Sequence, residues 1–259
     1  MSNSTPAFVV GFVVAFAAII SLAEKDAGKP VGGQPTTNHS IDLAPTQDTS
    51  LIDAFRQGQR GNCVSAAVIK AAIDAYTKEG VFNKIAGQAN GGLRVTLQDG
   101  RIIELTSDEV EFAGNNSDFV EMGQGDDLSF ANFAFAVMAK NMQDLWNLSS
   151  FESAIHTLNA GQQPIDGARW IGLSHRVVDL TGKDISNHDS IVAYGIDPDL
   201  SLSSGHCVFV DMVGEGRHVR DMHGVATHYG LESRVVRIGR FRTQTQLFMK
   251  YEKRFAFAK

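Results

Sequence analysis

The chain has 259 residues, of which 43% are hydrophobic and 20% are charged, and its formal net charge is −6 at pH 7. This length suits one domain or two small ones, and the composition is that of an ordinary globular protein. The negative charge gives no reason to expect nucleic acid or an anionic membrane surface as a partner, and two cysteines are too few for a disulfide framework or a four-cysteine zinc site.

The chain begins with an uncharged, strongly apolar segment from Ala7 to Ala23. Its length lies at the lower edge of a membrane span and slightly above that of a usual signal-peptide core. Small residues at Ser21-Leu22-Ala23 suit a signal peptidase, whereas residues 1–6 lack the positive charge that usually precedes such a core. The sequence therefore predicts that residues 1–25 are either a cleaved signal peptide or a membrane anchor, and that the protein is secreted or membrane-associated.

Residues 26–49 are rich in glycine and proline among polar side chains, which is typical of a flexible linker. The sequence thus predicts a targeting or tethering segment at 1–25, a linker at 26–49 and a folded domain at 50–259. Any membrane association is expected through residues 7–23, and any chemistry through the folded domain.

The most informative stretch of the folded domain is Gln57-Gly58-Gln59-Arg60-Gly61-Asn62-Cys63. After Cys63 apolar residues recur at helical spacing, with neither glycine nor proline until Gly80, so the pattern predicts a helix over 63–78. Two glycines upstream would let the backbone turn sharply into that helix. Cys63 would lie in the first turn, where free N–H groups and the helix dipole favour a thiolate. Gln57 would lie on the turn, with its amide able to donate to a developing oxyanion.

Strand-like alternation from Gly91 to Glu111 surrounds Asp99-Gly100 and predicts a β-hairpin. The polar stretch 115–127 offers oxygen ligands to calcium, but their spacing differs from that of an EF-hand, so we expect a solvated loop. Apolar periodicity predicts a long helix over 128–148 and a short one over 151–158.

A second group of polar residues accompanies a predicted strand pair near the end of the chain. Residues 203–213 begin with turn residues and continue as an apolar strand, a turn follows at 214–217, and 218–224 forms the second strand and its exit. A hairpin of this length brings its two ends together. We therefore expect His206, at the start of the first strand, to lie beside Asp221, near the end of the second.

Only His206, of the eight histidines, follows a glycine and opens an apolar strand. His188, which precedes the apolar run 191–194, is the best rival, and Asn187 or Asp211 are alternative orienting groups. His218, His223 and His228 share no helix face and would alternate sides in a strand, so no metal site is predicted. Cys207 should point to the face opposite His206, into the core, and a disulfide to Cys63 is not expected.

The Gln-Gly-x-x-Gly-x-Cys stretch resembles the cysteine-bearing segment of the papain-like cysteine peptidases, most closely the calpain-type catalytic core. Gly205-His206 is similar to the segment that carries the family's histidine. Asp221-Met222-His223-Gly224 is similar in layout to the family's Asn-x-Trp-Gly motif, with Asp in place of Asn and His in place of Trp. The resemblance spans roughly residues 50–230 and implies a two-lobed α+β fold. A helical lobe would start with the cysteine helix, and an antiparallel β lobe would carry the histidine and the acid.

The resemblance further implies a cysteine peptidase that acts on protein or peptide substrates through a thioester. Cys63 would be the nucleophile, His206 the base, Asp221 the orienting acid and Gln57 the oxyanion donor. No cofactor and no metal are implied. Two alternatives remain open, namely an acyltransferase of the transglutaminase type, to which the Asp is suited although its His follows the Cys more closely, and an inactive binding module of the same fold.

Overall fold

The computed structural model describes residues 51–123, 125–181, 190–196, 205–213, 216–219 and 253–259. In these residues the protein is a mixed α+β structure with antiparallel sheets, which confirms the predicted class. Their α-helices are α1 (Leu51–Ala54), α2 (Cys63–Gly80), α3 (Ser107–Asn116), α4 (Asp127–Trp146), α5 (Phe151–Asn159) and α6 (Pro164–Trp170). Their strands are β1 (Phe55–Arg56), β2 (Lys84–Gly87), β3 (Leu93–Thr96), β4 (Ile102–Leu105), β5 (Val120–Glu121), β6 (Val177–Asp179), β7 (Ile191–Ile196), β8 (Gly205–Val213), β9 (Gly216–Val219) and β10 (Lys253–Phe257). A 3₁₀ turn covers Ser174–Arg176.

Helix α2 is the central element of the core, and its start at Cys63 confirms the predicted helix. Every residue from Val64 to Ile73 is buried, because α2 packs against α4, α6 and β8 on different sides. A helix that is buried all round has no solvent-facing stripe. Thr77 has a left-handed φ of 57°, which kinks the last turn of the helix.

Five of the described strands form an antiparallel sheet in the order β6-β10-β7-β8-β9. Side chains alternate along β8. Cys207 and Phe209 belong to the main core shared with the helices, whereas Val208 and Val210 belong to a smaller cluster that includes Ala193 of β7. The face of β8 that carries Cys207 and Phe209 thus packs against α2 and its neighbouring helices. The predicted strand pair is confirmed as β8 and β9, which join in the register Val213↔Gly216. The predicted turn at 214–217 is wrong in its second half, because β9 already begins at Gly216. Residues 220–224 lie outside the described residues.

The predicted hairpin about Asp99-Gly100 is confirmed as the pair β3–β4, with β2 as a third strand. Gly100 has a φ of 85° and its N–H donates to the Leu97 carbonyl, a turn that requires the left-handed region. The strand-like prediction up to residue 111 is wrong beyond Leu105, where the chain turns into α3.

Helix α3 has a capping box that outweighs the alternating pattern. The Thr106 hydroxyl accepts from the Glu109 N–H at 3.1 Å, and Glu109 Oε2 accepts from the Thr106 N–H at 2.9 Å. These two bonds satisfy helix donors that would otherwise be unpaired and fix the helix start at this point. The stretch 115–127, predicted as a loop, therefore begins with the last turn of α3.

The same stretch also contains β5, which pairs with β1 in the register Phe55↔Glu121. This small pairing brings the chain just before the Cys63 motif against the segment that follows α3. The helices predicted over 128–148 and 151–158 are confirmed as α4 and α5. Among the described residues none of the helices is long and apolar enough to span a membrane. The predicted segments 1–25 and 26–49 lie outside them.

Candidate active site

Cys63 is the first residue of α2, and its thiol forms no disulfide, is half-buried and packs against the main core. The residue before it, Asn62, occupies the N-cap position, yet its side chain makes no capping bond to the helix. The amide is used elsewhere, because Nδ2 donates to the Ser117 carbonyl at 2.6 Å and to Asn159 Oδ1 at 2.8 Å. The Asn62 side chain therefore does not cap the first turn of α2, which contains Cys63, as an N-cap side chain usually does.

Gln57 is buried, with 4% of its surface exposed, and its carboxamide lies inside the turn that leads to α2. Nε2 donates to the Arg60 carbonyl, while Oε1 is buried and accepts no hydrogen bond from the described residues. A carboxamide nitrogen carries two N–H donors, and the Arg60 contact uses one of them. The second donor remains for another acceptor beside the turn.

The two glycines of the motif have a different role from the one the sequence suggested. Neither Gly58 nor Gly61 adopts a positive φ. A Cβ at Gly58 would lie 2.2 Å from the Asp118 carbonyl oxygen, and one at Gly61 would lie 3.0 Å from the Asn159 carbonyl oxygen. Both positions thus require glycine because other segments of the chain approach the backbone closely.

Strand β8 brings the position of His206 to the side of the fold that holds α2. The structure describes the backbone of His206, which pairs with Gly195 of β7, and not its side chain. The next residue, Cys207, is buried in the core shared with α2, as predicted. Burial, and then the proximity of Cys63, raise the pKa of the Cys207 thiol well above its usual range. Cys63 therefore lies close to Cys207, the residue that follows His206 in β8.

The predicted orienting acid Asp221 lies outside the described residues, and so do the rivals His188 and Asn187. The backbone of Asp211, the other alternative, lies in β8 opposite His218. The structure places Cys63 at the start of α2, Gln57 in the turn that precedes it, and the backbone of His206 next to Cys207 in β8. It leaves the contacts between Cys63, His206 and Asp221 as a prediction.

Three acidic residues of the 115–127 stretch make contacts within the protein. Asp118 accepts from the backbone N–H groups of Gln59 and Arg60, and Asp126 and Asp127 both pair with Lys78, the latter at 3.1 Å. No group of three or more His, Cys, Asp or Glu side chains in the described part of the chain is placed to hold a metal ion.

Three residues around the motif were not assigned a role by the sequence, namely Asn62, Asp118 and Asn159. Asn62 lies within the motif, and its burial at 0% exposure indicates a structural use for its amide. Asp118 and Asn159 contact the motif across 58 or more residues of sequence, which no local pattern reveals.

The raised pKa of Cys207 predicts a loss of stability at alkaline pH. The unfolded chain loses this thiol proton as the pH rises through about 8.5, whereas the folded chain retains it, so the unfolded state binds fewer protons above that pH. The stabilisation is complete below about pH 8.5 and declines above it by up to about 1.4 kcal/mol per pH unit.

We expect Cys207→Ala to reduce this decline between pH 8.5 and 10, as measured by the free energy of unfolding in urea at each pH. Cys63→Ala is the matched control, because it removes the more exposed thiol of the pair. Equal alkaline slopes for the wild type and Cys207→Ala would contradict the prediction.

No family model matches this chain, and neither the curated proteins nor the solved structures that were searched give a match.

Proposed function

We propose that the protein is a cysteine peptidase with a papain-like two-lobed fold, in which Cys63 is the nucleophile of peptide-bond hydrolysis. The observation that carries the proposal is the placement of a half-buried thiol at the first residue of α2, close to Cys207 of β8. The helix N-terminus favours a thiolate at this position. The backbone of His206 lies in β8 next to Cys207, which supports the choice of His206 as the base, and a contact between its imidazole and the Cys63 sulfur is a prediction of this proposal.

In this proposal the residues act in successive steps. His206 takes the Cys63 proton, and the sulfur attacks the carbonyl carbon of the scissile peptide bond. The Gln57 carboxamide and the Cys63 backbone N–H donate to the tetrahedral oxyanion. Collapse of the intermediate breaks the C–N bond, and the leaving amine receives the proton from His206. Water then hydrolyses the thioester, with Asp221 holding the imidazole orientation throughout.

The buried carboxamide of Gln57 supports its assignment as oxyanion donor. Its nitrogen is fixed by the Arg60 carbonyl and still carries a second N–H. A donor that is held in place before reaction costs no reorganisation when the oxyanion forms. The folded domain in this proposal spans residues 50–259, and residues 1–25 serve for export or membrane attachment.

The test is to treat the full chain with a peptidyl epoxide probe and to map the adduct by mass spectrometry. We expect a single adduct at Cys63 in the native protein and none at Cys207, which is buried at 1% exposure. Heat-denatured protein is the control, because the selectivity for Cys63 should disappear there.

Two further assays on the same protein separate the reaction classes. We expect hydrolysis of peptides from a mixed library, and no incorporation of a fluorescent primary amine into a glutamine-containing protein. Amine incorporation without hydrolysis would identify a transferase instead. A native protein that neither reacts with the probe nor cleaves peptides would contradict the proposal and indicate a binding module.

A further inference from the structure

The segment that carries the candidate oxyanion donor is held from outside by hydrogen bonds. We name residues 57–62 the Gln57 loop. The N–H groups of Gln59 and Arg60 both donate to Asp118 Oδ2, the latter at 3.1 Å, and the Gly61 N–H donates to the Asn159 carbonyl at 2.9 Å. Three consecutive N–H groups of the loop thus bond to acceptors that lie elsewhere in the chain.

The two segments that carry these acceptors are linked by the Asn62 side chain. Its Nδ2 bridges the Ser117 carbonyl and Asn159 Oδ1, and Asn159 Nδ2 donates to the Asn116 carbonyl at 2.9 Å. Asn62 Oδ1 is buried and has no hydrogen-bond partner among the described residues. An unpaired buried acceptor lowers the stability of the fold. A gain in stability alone therefore does not explain the position of the Asn62 side chain.

Asp118 adopts an unfavourable backbone conformation at its position. Its φ of 57° is in the left-handed region, which Asp adopts more readily than most residues other than glycine and Asn. The backbone of Gly58 lies so close that a Cβ there would be 2.5 Å from Asp118 Oδ2. Backbone strain of this kind is maintained by its surroundings and clusters at functional sites.

The bonds connect Asp118 to the Gln57 carboxamide in a short chain of contacts. Asp118 holds the peptide unit between Gln59 and Arg60 by its N–H. The next peptide unit, between Arg60 and Gly61, presents its carbonyl to Gln57 Nε2 and its N–H to Asn159. The direction of the Gln57 donor therefore depends on two successive peptide units, and Asp118 fixes the first of them.

We propose that Asp118 is a positioning residue that fixes the Gln57 loop so that the Gln57 carboxamide is directed at the oxyanion formed beside Cys63. The inference rests on the proposed peptidase function. Asp118 touches neither sulfur nor substrate in this assignment and acts only through the loop. Small misplacements of a catalytic group are costly to the rate, which gives this role a measurable effect.

The test compares Asp118→Gly with Asp118→Asn. Both new residues tolerate the left-handed conformation, but glycine removes the acceptor whereas asparagine keeps one acceptor oxygen. We expect Asp118→Gly to lower kcat on a peptide amide by roughly 10-fold to 10²-fold with little change in KM, and Asp118→Asn to recover most of the loss. Asn147→Gly is the matched control, since Asn147 has a φ of 51° at the distant end of α4 and contacts no part of the loop.

A second readout separates positioning from a general structural role. In a Gln57→Ala background, Asp118→Gly should have no further effect on kcat, because the group that it positions is absent. The rate of Cys63 alkylation by iodoacetamide, which forms no oxyanion, should be unchanged by Asp118→Gly. If the glycine variant fails to fold, the same cycle with Asp118→Asn should show a smaller loss in kcat that also vanishes with Gln57→Ala.

The two proposals fail in distinguishable ways. A wild-type protein without peptidase activity contradicts the proposed function itself. An active wild type whose Asp118→Gly variant behaves like Asn147→Gly overturns the role of Asp118 and leaves the peptidase proposal in place. Additive losses from Asp118→Gly and Gln57→Ala would likewise overturn it, because independent effects do not couple.

Discussion

Replacing Cys63 with alanine should abolish measurable peptide hydrolysis. In the proposed mechanism the thioester forms on this sulfur, and the other thiol, Cys207, is buried at 1% exposure with a pKa raised by burial. In hydrolases that use a catalytic triad, loss of the nucleophile costs on the order of 10⁶ in kcat. The measurement is kcat on a fluorogenic peptide, with the epoxide probe as an independent count of active sites.

Cys207→Ala is the matched control for this experiment. The change removes a sulfur from the core cluster next to α2, so we expect a loss of stability and not a loss of the chemical step. Substantial turnover by Cys63→Ala, or probe labelling that follows Cys207, would contradict the assignment of the nucleophile.

Helical and strand periodicity predicted the elements that position Cys63. The start of α2 follows from the apolar spacing after Cys63, and the β3–β4 hairpin follows from Asp99-Gly100, because both depend on interactions between near neighbours in sequence. Helix α3 was missed although its signal was present. Thr106 and Glu109 form a capping box, and that local signal outweighed the apparent alternation of the residues that follow.

Contacts between distant segments could not be predicted in the same way. Gly58 and Gly61 appeared to be turn glycines, and only the approach of Asp118 and Asn159 explains why a side chain is excluded there. Lys70 is a further example, since a charged residue on a helix usually faces solvent. Here α2 is covered on all sides, and the Lys70 ammonium lies fully buried, 4.7 Å from the centroid of the Phe55 ring.

The sequence therefore suggests residue types for the candidate site, and it does not reveal the contacts that hold them in place. The sequence pattern named Cys63, Gln57 and His206 because their chemistry is recognisable at this spacing. Strands β1 and β5 pair and so bring Asp118 against the Gln57 loop. The paired residues Phe55 and Glu121 are far apart in sequence. Single-sequence patterns contain no information about such pairings.

Replacing Gln57 with alanine should lower kcat by roughly 10²–10³ while KM changes little, because removing one oxyanion donor costs about 3–4 kcal/mol of transition-state stabilisation. In the proposed mechanism the donor meets the oxyanion and not the carbonyl of the bound substrate, so the loss should fall on the chemical step. The substrate should be a slow amide, for which acylation limits the rate. The unfolding free energy must be measured in parallel, since Gln57 is buried and the Arg60 carbonyl loses its donor in the variant.

Gln98→Ala is the matched control for the loss of Gln57. Gln98 Nε2 also donates to a backbone carbonyl, that of Gly80 at 2.7 Å, but at the far end of α2 from Cys63. The control should therefore change stability and leave kcat intact.

Asp221→Asn restores the residue that the papain-like pattern prefers and should retain measurable activity if Asp221 only orients His206. A Gln57→Ala variant with the kcat/KM of the wild type would remove Gln57 from the oxyanion site, and its distance of six residues from Cys63 would then have no catalytic meaning.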